Sequence, residues 1–479
     1  MLRNKRLLLN NTDPLQLIIN AFKAKVVSDG GTFYNEAPLK EFLKTLKGNS
    51  LYDLASIILT PNATKASTLY SFVGPNLSYT RAGTALRRNL DGVWATELSN
   101  IRRLHYPLGN GNPNWLDEGI DIAANYLPNT ILANSGGIPT NWGNNISTGS
   151  GGSASVTPNG ASNFFHSSLN ITKYLFSVSG NSGTINALIN KSGMAVTVSK
   201  EYTQSVWIEA YSGTIKYVDI LVNTIPSSST TYWMNGVQKY STDNVSEIGL
   251  LECRFTTTSG ATGTYNVIFG AGMYATINGG SGGTASVTLS HPQLEIGKTA
   301  SSPILNTTSS TSGITRAADQ SVTSSLSSYI GQTEGTVYIE YTPKQIIADL
   351  LLFAIFDTGS AGSQANSIAV NMTTSGLIQF QVFASSALIY TVYSSAIAFN
   401  TPYKIAIAYK SGSSIMYING IQSGLSKSET FTFSVALAKL SLMNDGYYIS
   451  PHKAGIQQTN NLTVFPTRLT NSQLAILTT

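Results

Sequence analysis

Residues able to do chemistry are few in this 479-residue sequence, and they are scattered. The four histidines, His105, His166, His291 and His452, show no spacing that would let two share a metal ion. The single cysteine, Cys253, lies in the apolar string Leu250-Leu251-Glu252-Cys253-Arg254-Phe255, where it reads as a small buried thiol. One cysteine excludes both an intramolecular disulfide framework and a cysteine-based zinc site. Gly297-Lys298-Thr299 has the ending of a phosphate-binding loop, but Pro292 stands where its first glycine belongs. Gly279 to Gly283 fits G-x-S-x-G, yet a strand-like run follows it rather than a helix, so it reads as a loop and not a nucleophile elbow. A glycoside hydrolase needs two carboxylates facing each other across a cleft. Residues 334–479 offer Glu334, Glu340, Asp349, Asp357, Glu429 and Asp445, with no two at i, i+2 on one strand. The chain therefore reads as no enzyme.

Binding chemistry has more to work with. Asn444-Asp445-Gly446-Tyr447-Tyr448 combines oxygen ligands with two tyrosines in one turn-forming string, and Asp357 follows a strand-like run. Loop amides, carboxylates and aromatic rings of this kind hold sugars, with calcium as the ion such a site would take. The same string also fits a plain Asn-Asp-Gly turn with packing tyrosines. All five tryptophans (Trp94, Trp115, Trp142, Trp207 and Trp233) precede residue 235, which leaves the last module without the strongest stacking side chain.

The elements that must position these residues are mostly strands. Only 11% of residues are charged, while 59 Ser, 52 Thr and 39 Asn carry the surface polarity. With 42% hydrophobic residues there is ample material for a core, so the chain is not disordered. The first 72 residues differ from the rest. Asp13-Pro14 is a helix start, followed by Leu15, Ile18, Ile19 and Phe22 on one face. A second helix runs from Ala37, with Leu39, Phe42, Leu43 and Leu46, to Gly48, and a third is expected across Leu51 to Leu59. Residues 73–150 read as an irregular connector. Beyond 150, period-2 runs dominate; in Lys404–Lys410, Ile405, Ile407 and Tyr409 face opposite to Lys404, Ala406, Ala408 and Lys410. The fold class is thus mainly β, two β-sandwich (jelly-roll) modules preceded by a small helical N-terminal domain and an irregular connector. The expected domains are 1–72, 73–150, 151–305, a Ser/Thr-rich linker 306–333, and 334–479. Residues 1–103 hold 14 Lys/Arg against 7 Asp/Glu, while 104–479 hold 15 against 17. The basic end reads either as a docking face or as a solvated helical face. No run of 18 apolar residues exists to cross a membrane as a helix, and the three leucines after Arg6 are too few for a signal peptide.

Several strings resemble virion proteins of tailed bacteriophages. They are Lys65–Ser71, Leu77-Ser78-Tyr79-Thr80-Arg81, Asn89-Leu90-Asp91-Gly92, Asn100–Tyr106, and Ala133-Asn134-Ser135 with Asn141-Trp142. Tyr202–Ile208, Pro292–Ile304 and Thr315–Asp319 resemble the limits of a carbohydrate-binding-like jelly roll in phage fibres. Gly335–Glu340, Tyr417-Ile418-Asn419-Gly420 and Leu469–Leu474 resemble a concanavalin A-like, laminin-G-type sandwich. The order of the strings along one chain is similar to that in appendage proteins of crAss-like and related Bacteroidetes phages. Ile101-Arg102-Arg103 departs from the pattern by lacking its proline, and Leu116-Asp117-Glu118 and Pro128-Asn129-Thr130 are degraded. The resemblance implies a non-enzymatic fibre or spike on the virion exterior, assembled in the host cytoplasm. It implies attachment to other virion proteins through the N-terminal region, and lectin-like modules turned to host glycans. A homo-oligomer, commonly a trimer, goes with that architecture, with no nucleic acid or membrane insertion. A capsid decoration or head fibre of purely structural role, and a capsular polysaccharide depolymerase, are the alternatives.

Overall fold

The computed structural model describes residues 13–479 outside the segments 107–113, 118–123, 126, 128–129, 131, 134–137, 149–151, 181–182, 214–216, 224–226, 240–246, 259–263, 276–282, 298, 309–313, 317–318, 320, 345–349, 360–364, 399 and 443–456. Strands dominate, and the chain divides into two compact units: 1–87 with 97–119 and 317–479, and 88–96 with 120–316. The expected tandem order is corrected here. The first unit is discontinuous, and the second is inserted into it along the chain.

Two antiparallel sheets build the first unit. One runs, in spatial order, through Ile421–Gln422, Ile415–Ile418, Tyr403–Lys410, Glu334–Pro343, Gln457–Phe465, Asn114–Asp117 and Arg103–His105, with Ile57–Leu59 also pairing Gln457–Phe465 and carrying Ser71–Val73. The other runs Ser321–Thr323, Lys439–Leu442, Leu350–Phe356, Ser367–Met372, Leu377–Ala384 and Ala387–Ala396. Between them lies a dry core, to which Ile405, Ile407 and Tyr409 turn as their alternation predicts. Asn419-Gly420, both at positive φ (48° and 81°), join Ile415–Ile418 to Ile421–Gln422. Asn-Gly is the pair that this two-residue reversal favours.

The N-terminal helices do not form a domain of their own. Helix α1 (Pro14–Ser28) starts at Asp13, whose Oδ1 accepts from the Leu15 amide at 3.0 Å, and α2 spans Ala37–Gly48. Their buried faces (Leu15, Ile19, Phe22, Val26; Leu39, Phe42, Leu43, Leu46) share one cluster with Tyr338, Ala406 and Ala408 on the back of the larger sheet. Phe42 stacks on Tyr338 at 5.8 Å between ring centroids. This explains the alanines opposite Ile405 and Ile407: that face is covered too, and small side chains admit the helices. The expected third helix is a single 3-10 turn, Tyr52–Leu54, followed by the strand Ile57–Leu59, because β-branched Ile57 and Ile58 find strand partners on both sides. A short C-terminal helix, α3 (Asn471–Thr478), closes the unit, its Thr470 and Gln473 forming a capping box.

The second unit pairs a four-stranded sheet (Gly143–Ser147, Gly183–Ala195, Thr264–Ala275, Tyr217–Asn223) with a seven-stranded one. The latter runs Ser153–Ala161, Thr172–Gly180, Gly283–Ile296, Glu201–Ser212, Gly249–Thr257, Ser227–Met234 and Val237–Lys239. Tyr202, Val206, Met234, Leu251, Cys253 and Phe255 face the core between the sheets.

Candidate functional site

The strings that stand out in the sequence meet in two buried polar clusters. In the first unit, Arg81 and Arg103 both reach Asp319, Arg81 Nη1 at 3.1 Å and Arg103 Nη2 through the other carboxylate oxygen. The Tyr79 hydroxyl donates to the same carboxylate and accepts from Arg81 Nη1 at 3.0 Å. Backbone carbonyls of Gly83, Leu98 and Leu86 take further guanidinium protons at 2.9, 2.6 and 3.1 Å. Asn100 clamps the Arg81 backbone from both sides. Arg81, Arg102, Arg103 and Asp319 are all buried. Buried under these donors, the shared carboxylate is closed to solvent, and the arrangement is a structural lock.

That lock also draws in part of the basic charge counted near the N-terminus. Of the 14 basic residues in 1–103, Arg81, Arg102 and Arg103 lie inside the first unit and Arg88 inside the second, while Arg87 pairs with Glu97 at 2.6 Å. Arg88 lies over the Trp94 and Trp207 rings at 5.2 and 5.5 Å, and burial lowers its guanidinium to about 10. The charge asymmetry counts interior residues.

In the second unit, the outward face of the seven-stranded sheet carries three buried glutamates that each hold a covering segment by its backbone. Glu209 accepts from the Asn163 amide (2.7 Å), Glu252 from Ala300 (2.7 Å) and Glu295 from Ser301 (2.9 Å). His291, Gln293 and Glu295 are linked along one strand, and Gln293 Oε1 also accepts from the Ile304 amide at 2.7 Å. Burial lowers the His291 imidazole to about 4 and raises the Glu295 carboxyl to about 7.

Beside these clamps a cleft of about 200 Å³ opens, lined by Glu201, Tyr202, Thr231, Trp233, Arg254, Phe255, Thr256 and Gly297. Thr231 pairs with Arg254 and Trp233 with Glu252 across adjacent strands, so these side chains share the outward face. The Arg254 guanidinium lies 4.0 Å from the Trp233 ring centroid, and its Nη2 is held by Glu252 (2.9 Å) and Thr299 (3.2 Å). Trp233 Nε1 donates to Thr231 Oγ1 at 3.3 Å. The indole is therefore fixed by its edge and by a cation on one face before any ligand arrives. Partly exposed threonines and an exposed carboxylate, Glu201, surround it. Such a site can stack one apolar ring face and hydrogen-bond the ring's substituents. The sequence marks Cys253-Arg254 only for its thiol; the alternation T-T-Y-W-M against E-C-R-F, with Trp and Arg out of phase with the core residues, is the signal that could have found the cleft.

Of the residues singled out in the last module, Asp357 is the one among the described residues. Asp357 is 2% exposed, and its carboxylate accepts from the amides of Gly359 (2.9 Å) and Asn366 (2.8 Å) and from Asn366 Nδ2 (3.3 Å). Asn366 in turn holds Ser385, Ser434 and Val435, so Asp357 anchors a knot of loops. Asn444, Asp445, Tyr447 and Tyr448 lie outside the described residues. Among the described residues, no group of three or more His, Cys, Asp or Glu is placed to hold a metal ion, and no helix is long and apolar enough to cross a membrane.

No protein-family model matches the sequence, and no curated protein matches it. Solved structures with partial similarity include the CBM40 of the Ruminococcus gnavus IT-sialidase bound to α2,3-sialyllactose, at 16% identity over 31% of this chain and 83% of that one, with a TM-score of 0.28. Domain 4 of AbnA, a GH43 extracellular arabinanase from Geobacillus stearothermophilus in complex with arabinotriose, shares 17% identity over 34% and 73%, with a TM-score of 0.27. The heptameric SAP-like pentraxin of Limulus polyphemus shares 14% identity over 30% and 68%, with a TM-score of 0.25.

Proposed function

We propose that this chain is a non-enzymatic structural protein of a tailed-phage virion, a fibre or spike, whose inserted unit binds host-surface glycans at the Trp233–Arg254 cleft. The cleft is the observation that carries the binding reading. A pre-fixed indole with hydroxyls and one carboxylate around it suits the apolar face and equatorial hydroxyls of a pyranose. At about 200 Å³ it falls below the roughly 300–1,000 Å³ of drug-sized pockets, so it takes one sugar ring and depends on many copies for avidity. Glu201 is the one carboxylate among the described lining residues, which favours binding over the two-carboxylate chemistry of hydrolysis. The virion reading is supported by the phage-like strings Leu77–Arg81, Asn100–Tyr106 and Thr315–Asp319, of which Tyr79, Arg81, Arg103 and Asp319 bond to one another. Attachment to the particle then falls to the first unit as a whole, since α1 and α2 are part of it.

The test is a glycan panel on the full chain by calorimetry, with Trp233→Ala alongside. A neutral or acidic host-type glycan binds the native chain, and the variant binds it at least tenfold more weakly. Absence of binding to every glycan at millimolar concentration overturns the binding reading, and release of reducing ends from host capsule overturns the non-enzymatic one.

A further inference from the structure

The six-stranded sheet of the first unit carries a second polar surface that the cleft does not account for. Along Leu377–Ala384, burial alternates residue by residue: Ile378, Phe380 and Val382 face the core while Gln379 and Gln381 face outward. Register places Asn371 and Tyr393 on either side of Gln379, and Ala369 and Thr391 on either side of Gln381. A hydrogen-bonded rung crosses three strands. Asn371 Nδ2 donates to Gln379 Oε1 at 3.0 Å, and Gln379 Nε2 donates to the Tyr393 hydroxyl at 3.1 Å. Tyr393 is half exposed and sits on the edge strand. At the other end of the rung, Asn371 is 97% buried and its Oδ1 accepts no hydrogen bond. The rung therefore runs from a covered end at Asn371 to a solvent-facing end at Tyr393, where its amides and hydroxyl reach the surface.

Residues 367–396, which supply all three strands, contain no Asp, Glu, Lys, Arg or His. A surface without charge has nothing to offer a phosphate, a nucleic acid or an acidic peptide. Amides and hydroxyls at strand spacing beside a half-exposed phenol ring instead match the vicinal hydroxyls and apolar faces of a neutral sugar chain. We infer that the Asn371–Gln379–Tyr393 rung, with Gln381 and Thr391, is a second saccharide site, selective for neutral oligosaccharides and independent of the Trp233 cleft.

The experiment uses the full chain and four probes, neutral tetra- to hexasaccharides of α-glucan, β-glucan, mannan and galactan, titrated into the native protein, Trp233→Ala, Tyr393→Ala and the double variant. Tyr393→Phe, which keeps the ring and removes only the hydroxyl, guards against a folding defect. The expected result is weakened but measurable binding in Trp233→Ala, which falls a further tenfold or more when Tyr393→Ala is added, with an intermediate loss for Tyr393→Phe. If Trp233→Ala alone abolishes all binding, the second site is refuted while the cleft stands. If only Tyr393 matters, the second site stands and the cleft falls. Absence of binding by the native chain refutes both, as does capture of a protein strand at Ala387–Ala396 in place of any sugar for the second site.

Discussion

Replacing His291 by Gln makes the second unit lose about 3 kcal/mol of stability between pH 4.5 and 7, a dependence that the native chain conceals. Burial carries the Glu295 carboxyl from 4.5 to about 7, against the opposing hydrogen bonds of Ser301 and Gln293 and the charge of Arg316. A folded value above the unfolded one means that the contribution is complete below about 4.5 and is lost as pH rises through about 7. His291 works in the opposite sense. Burial lowers its imidazole from 6.5 to about 4, so its contribution is complete above about 6.5 and is lost as pH falls through about 4. At about 1.4 kcal/mol per pH unit each interval amounts to roughly 3 kcal/mol. Between about pH 4.5 and 6.5 the two slopes are equal and opposite. The two contributions therefore offset each other in that window; relative to the native chain, His291→Gln falls with pH and Glu295→Gln rises.

Urea unfolding at half-unit pH steps measures this, followed by tryptophan fluorescence, since Trp94, Trp142, Trp207 and Trp233 all belong to the second unit. A neutral ring has one N–H to give, to the Thr130 carbonyl or to Gln293, both at 3.2 Å, and the variant forfeits that bond and the packing on Phe165. Those losses lower every point equally. The slope alone reports the buried charge, and a His291→Gln profile with the native slope refutes the reasoning.

Two further perturbations test the first unit. Asp319→Ala leaves Arg81 and Arg103 buried without their shared carboxylate and costs about 3–5 kcal/mol in denaturant unfolding; a loss under 1 kcal/mol would show the guanidinium groups satisfied by backbone carbonyls alone. Phe42→Ala removes the ring stacked on Tyr338 and lowers stability by roughly 3 kcal/mol, with the helices and the sheet unfolding in one transition; a separate early loss of helical signal would return residues 13–48 to an independent domain.

Much of the local structure could be read from residue order. Asp13-Pro14, the 3–4 spacing of Leu39, Phe42, Leu43 and Leu46, and the alternation of Lys404–Lys410 each act within a few residues, where side-chain direction is set by backbone period. The mainly β class followed from composition for the same reason. What failed were inferences that needed to know what covers a face. Ala406 and Ala408 looked like the outer side of a half-buried strand, yet helices more than 350 residues earlier lie on them. Arg81 and Arg103 looked like surface charge, because nothing near them in sequence could neutralise them; their partner, Asp319, lies more than 200 residues away.

The phage-like strings acquire a common physical meaning from this. Tyr79, Arg81 and Arg103 precede the inserted residues 120–316, and Asp319 follows them. Bringing the ends of so long an insertion together costs little more than for one half its length, since closure entropy grows only as the logarithm of length, about 0.6 kcal/mol per doubling. Two charge-assisted contacts and a tyrosine hydroxyl on one buried carboxylate outweigh that increment whatever is inserted. Likewise Gln293, Glu295 and Ser301, all within Pro292–Ile304, bond to one another and fold that string onto its own strand. These strings thus mark where the chain leaves and re-enters a sheet. The ligand chemistry we propose uses other positions, outward side chains such as Trp233 and Tyr393 that no string contains.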